Sequence, residues 1–148
     1  MGTRQNTVDG WSLLISACVL ALLLAPVQIC VAAPGQAIVP MLQDRLGLTE
    51  TQVRGALGAL LVFTRERLTK PEFDELAETI PNADRIMQDV KLRGVVTGPM
   101  DDIGEYQAAL SNLGIGQPLA ARFAPAVLQA LAEQGHSREH DILARVID

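Results

Sequence analysis

Between Gly55 and Phe63 the chain carries no polar side chain. A helix that is apolar on every side cannot lie on a protein surface, because a surface helix keeps one face for water; it belongs in a core or a membrane. The run is too short to cross a bilayer, which takes about 20 apolar residues. It sits inside Leu46–Leu68, LGLTETQVRGALGALLVFTRERL, where Thr49 and Gln52 have the spacing of a capping box. Such a box starts a helix by satisfying its first free amides. The stretch therefore predicts a buried central helix from about Glu50 to Arg67. Gly55 and Gly58 fall in its interior, where each disfavours helix by about 1 kcal/mol relative to alanine. Two explanations stand open: close approach by another backbone, or simple tolerance.

The 148 residues give room for one domain. Twelve basic side chains against seventeen acidic ones leave a net charge of −5, and the basic ones form no stripe. That argues against a nucleic-acid partner, since affinity for phosphate comes from clustered lysine and arginine.

The first part of the chain reads as a targeting segment. Met1–Gly10 is polar, and Trp11–Ala33 is apolar apart from Ser12, Ser16 and Gln28. Cys30-Val31-Ala32 places small residues where a signal peptidase reads, so cleavage is expected after Ala32. The alternative is an uncleaved anchor, in which case this segment is the only membrane contact. Ile15-Ser16-Ala17-Cys18 resembles a lipobox but lies within the apolar run. Cleavage after Ala32 removes both cysteines, Cys18 and Cys30, leaving residues 33–148 with no means of forming a disulfide. The expected destination is the periplasm, with secretion or inner-membrane anchoring as alternatives.

Downstream, the pattern is helical throughout. Ala37–Leu46 carries Ile38, Val39, Leu42 and Leu46, with Pro40 acceptable only in a first turn. Thr69-Lys70-Pro71-Glu72 is a second capped start, leading a short helix with Phe73, Leu76, Ala77 and Ile80. Asn82 is placed to cap the next helix, with Ile86, Met87 and Val90. Gly94–Pro99 is a break. Asp101 and Asp102 suit the N-terminus of a helix holding Ile103, Tyr106, Ala109, Leu110 and Leu113. Pro118–Glu133 is a second helix, apolar from Phe123 to Leu128, in which Pro125 should kink or split the rod. Ser137 is placed to cap the last helix. No strand alternation occurs, so the expected fold class is all-α: a compact bundle of about six short helices around two apolar central ones, preceded by a signal helix.

Leu113-Gly114-Ile115 repeats Leu46-Gly47-Leu48, and at an offset of 67 positions Leu60, Leu61 and Thr64 fall on Val127, Leu128 and Leu131. Two related helical halves and chance recurrence in an Ala/Leu-rich chain both account for so short a match.

Three segments in order carry a family likeness: the Leu-Gly-Leu-Thr-Glu lead into the helix Leu46–Leu61; Leu-Thr-Lys-Pro-Glu-Phe-Asp-Glu-Leu-Ala-Glu-Thr-Ile-Pro at Leu68–Pro81; and Leu113-Gly-Ile through Phe123-Ala-Pro-Ala-Val-Leu128. Together they resemble the VcgC/VcgE family of unknown function over about Met41–Ile147, with a fainter likeness to YidB-like helical proteins. The resemblance implies a small helical bacterial domain, often behind a signal peptide, with no known activity and no catalytic residues to carry over. The chain departs from the family pattern in the middle, where Asp89–Pro99 is mixed and charged rather than Gly/Leu-rich.

Several constellations invite chemistry and have plainer readings. His136 and His140 share a helix face and could grip a metal, but two imidazoles need a third ligand; the plainer reading is a solvated helix start. Ser111 and Ser137, the only serines beyond the targeting segment, have no nucleophile elbow around them. Glu72, Asp74, Glu75 and Glu78 cluster in a first turn, where negative charge is favoured anyway. Gly114-Ile115-Gly116 lacks the strand a nucleotide loop requires. Phe63, Phe73 and Phe123 fit a core better than a lipid pocket. No catalytic, cofactor-binding or metal residue is assigned. The expected role is non-enzymatic: interaction with an unknown protein, or self-association, through an apolar helix face. The alternative is carriage of a small apolar ligand in a helical pocket.

Overall fold

A computed structural model describes residues 38–147. Within them are seven α-helices and no strand: α1 (Ile38–Leu46), α2 (Glu50–Arg65), α3 (Lys70–Glu78), α4 (Ala83–Leu92), α5 (Ile103–Asn112), α6 (Gln117–Glu133) and α7 (Ser137–Ile147). The all-α class stands, with seven helices in place of about six. The signal helix and the cleavage after Ala32 expected from sequence lie outside the described residues.

α2 is the axis of the domain. Its capping box forms as the sequence requires: the Thr49 hydroxyl accepts the Gln52 amide at 3.3 Å, and the Gln52 side-chain oxygen accepts the Thr49 amide at 3.1 Å. From Gly55 to Thr64 every residue is buried, on all sides of the helix. Thr64, one of two buried polar residues among those described, donates its hydroxyl to the Leu61 carbonyl at 3.0 Å, so no polar group is stranded there. The two interior glycines admit neighbours: Leu113 lies against Gly55, while Ile86 and Val90 of α4 lie against Gly58. At Gly58 the neighbour includes the Ile86 carbonyl, so close backbone approach is the reason for that glycine.

The starts of α2 and α6 are 67 positions apart, and so are the starts of α3 and α7. Each long helix follows a short one through the same turn, at Gly47 (φ 64°) and Gly114 (φ 73°), backbone angles that glycine adopts without a Cβ clash. Packing is reciprocal: α1 lies on α6, α5 lies on α2, and α3 and α7 meet each other. The short sequence repeat is thus the trace of two like halves, α1–α2–α3 and α5–α6–α7, that exchange their first helices. α4 packs on α2 and has no counterpart among the described residues.

α6 departs from expectation in two ways. It runs unbroken through Pro125. Proline removes the amide that would bond the Ala121 carbonyl, but both residues face solvent, where water can meet that oxygen. It is also one-sided rather than apolar all round: Phe123, Val127, Ala130 and Leu131 are buried, while Ala121, Arg122, Pro125 and Gln129 are exposed. Among the described helices, enclosure on all sides is confined to Gly55–Thr64 of α2. Asn82 takes the cap position of α4 in the left-handed region (φ 60°), but its side chain caps nothing. Ser137 is the first helical residue of α7, and the His136 carbonyl takes the first helical bond, from the His140 amide at 2.9 Å.

Candidate functional site

The side chains that sequence singled out do not converge. His136 and His140 stand at the start of α7, each beside its own carboxylate: His136 Nδ1 is 3.8 Å from Glu139, and His140 Nδ1 is 3.1 Å from Asp141. Among the described residues no group of three or more histidine, cysteine, aspartate or glutamate side chains is arranged to hold a metal. The Ser111 hydroxyl donates to the Gln107 carbonyl at 3.0 Å, within its own helix. Phe63, Phe73 and Phe123 are all core.

The acidic cluster of α3 is dispersed among bridges. The Glu72 carboxylate accepts the Thr69 amide and hydroxyl, at 3.1 and 2.7 Å, and pairs with Arg145 of α7 at 2.7 Å. These bonds, the Thr69 hydroxyl first, hold its pKa down to about 2 from 4.5. Glu75 pairs with Arg138 at 2.7 Å, and Asp74 with Lys70 one turn away. Glu72 and Glu75 therefore clamp both ends of α7 onto α3.

The densest polar arrangement is one that sequence gave no signal for, at the C-terminus of α2. Arg67 stacks its guanidinium over the Phe63 ring, 3.8 Å from the centroid, and donates to the carbonyls of Phe63, Met100 and Asp101 at 3.2, 2.8 and 2.6 Å. Glu66 accepts the Met100 amide at 2.7 Å. Five donors in a planar fork let one arginine serve several carbonyls that a helix end and an incoming strand of loop leave open. Phe63 in turn meets Tyr106, with ring centroids 5.7 Å apart. The Tyr106 hydroxyl is buried without a partner, and burial pushes its pKa up. A phenol closed off from solvent keeps its proton. The arrangement fastens the Gly94–Asp102 connection to α2 and offers no reacting group to a substrate.

The surface holds open clefts. One, about 640 Å³, lies at the α3–α4 turn, where Asp74, Glu78, Asp84 and Arg85 stand beside Phe73 and Ile80. Another, about 500 Å³, runs along the outer face of α6, lined by Arg45, Leu46, Ala121, Arg122, Pro125, Ala126 and Gln129. The apolar helix faces read from sequence are taken up by the core: among the described residues Leu92 and Ile103 are the only large hydrophobic side chains left exposed. No described helix is long and apolar enough to cross a membrane.

A family model described as protein of unknown function VcgC/VcgE (DUF2780) matches residues 26–145. No curated protein and no solved structure matches the chain.

Proposed function

We propose that this chain, which belongs to the VcgC/VcgE family of proteins of unknown function, is an exported, non-enzymatic interaction or self-association module. The observation that carries this reading is the inequality of the two halves. On α2 the outward face is filled by α4; on α6 the equivalent face is open to solvent. Elsewhere the groups that could do chemistry are spent on architecture, as Glu72 and Glu75 are in holding α7. The apolar-carrier alternative gains no support from the clefts, whose walls mix apolar side chains with charged ones. The signal segment supports export, with the domain folded behind it in the envelope.

Photo-reactive residues placed one at a time at exposed positions on every helix, in the chain expressed in its own envelope, test the reading. Discrete adducts confined to a few neighbouring positions are the expected result. Adducts at none of them would sink the module.

A further inference from the structure

Each half of the molecule is closed by the other: α1 lies on α6, α5 lies on α2, and α3 meets α7. Among the described residues every ion pair that joins two helices crosses this seam. Arg45 of the first half meets Glu133 of the second, Glu72 meets Arg145, and Glu75 meets Arg138. Two first halves joined in the same way would set Glu72 against Glu78, the equivalent of Arg145. Two second halves would set Arg138 against Ile142, the equivalent of Glu75. The seam thus matches a first half with a second half and disfavours like with like. Which chain supplies each is decided only by the link between them.

That link runs from α4 to α5. The Val95 and Val96 amides bond the Val90 carbonyl, so both residues stay with α4. Met100 and Asp101 are held by Glu66 and Arg67 at the end of α2, the helix on which α5 packs. Between these anchored points Thr97, Gly98 and Pro99 are exposed. Leu92, 81% exposed, is the last residue of α4, and Ile103, 45% exposed, is the first of α5. The only large hydrophobic side chains left in water among the described residues therefore stand at the two ends of this link.

We propose that two copies of this chain pair by exchanging halves, α1–α4 of one copy closing on α5–α7 of the other; this rests on the self-association reading above. The hinge is Thr97–Pro99. Every contact across the seam is kept in the exchanged pair, so the core is unchanged and Arg45, Glu72 and Glu75 meet the same opposite charges that they meet within one chain. The pair is two-fold symmetric and closes on itself as a dimer. What it adds is at the link. The two links run side by side across the two-fold axis, which brings Leu92 and Ile103 of both copies together out of water. That burial is the gain over the closed monomer. Because the halves must part before they exchange, monomer and dimer interconvert at the pace of unfolding and not of diffusion.

The test uses the protein as processed in the cell and purified from the envelope. Gel filtration after incubation at about 10 µM to 1 mM should resolve a monomer and a slowly exchanging dimer whose share grows with concentration. Deleting Thr97 and Gly98, which shortens the hinge, should raise that share. L92S with I103S, at exposed positions, should weaken the dimer about tenfold or more and leave the monomer's melting temperature unchanged. In a C18S/C30S background, an E75C copy incubated with an R138C copy should cross-link to twice the chain mass with a bis-maleimide, and either copy alone should not. A monomer throughout the range, with no cross-link in the mixture, overturns the proposal; photo-adducts to other proteins would then leave the module reading standing. A dimer in which E75C alone cross-links as readily as the mixture overturns the exchange in favour of surface contact. A dimer indifferent to L92S with I103S overturns the contact at the link.

Discussion

A Cβ added to Gly58 would stand 2.9 Å from the carbonyl oxygen of Ile86 and 2.7 Å from a Val90 methyl. The oxygen belongs to the backbone of α4, which cannot turn aside as a side chain can. G58A should therefore destabilise the domain by about 1 kcal/mol or more, even after the gain of about 1 kcal/mol in helix propensity. G55A meets only the methyl end of Leu113, at 2.7–2.8 Å, and should stay within about 1 kcal/mol of the parent. Denaturant melts of the pair check the contrast; equal losses would refute the backbone account.

Arg67 joins the end of α2 to the chain entering α5. R67K keeps the charge but loses the planar fork that serves three carbonyls and the face that stacks on Phe63. A loss of about 1–3 kcal/mol is expected, with faster amide exchange at Met100, whose N–H is held by Glu66 beside it. Unaltered exchange there would mean the loop is held by other contacts.

Tyr106 has the opposite sign. Its hydroxyl is buried and unpartnered, so the folded state carries a desolvation penalty that phenylalanine does not. Y106F should raise stability by about 1 kcal/mol and keep the packing on Phe63. A clear loss of stability in thermal melts would show that the hydroxyl has a partner after all.

Glu72 sets an acid limit. Its folded pKa is held down to about 2 while the unfolded value is 4.5. A depressed carboxylate stabilises the fold above the unfolded pKa and loses that contribution as pH falls through the folded one. The clamp between α3 and α7 should therefore weaken from about pH 4.5 down to about pH 2. E72Q should be less stable than the parent at pH 7, with the gap closing across that window. A gap independent of pH would place the effect in packing instead.

The prolonged apolar run from Gly55 to Phe63 determined that α2 would be enclosed, because no face of it could meet water. Capping pairs such as Thr49 with Gln52 determined where helices begin, because that chemistry is local. The recurrence of Leu46-Gly47-Leu48 at Leu113-Gly114-Ile115 held the two-half plan in outline, though too briefly to separate from chance. Tertiary structure decided the rest. The sequence of α6 reads as a second apolar rod because Pro125, the one exposed position from Phe123 to Leu128, is itself apolar; only the packing of the neighbouring helices shows which side is left over. The reach of Arg67 to Met100 and Asp101, and of Arg145 to Glu72, joins residues far apart in the chain. Spacing along a sequence reports which residues share a helix face, but not which other helix that face will meet.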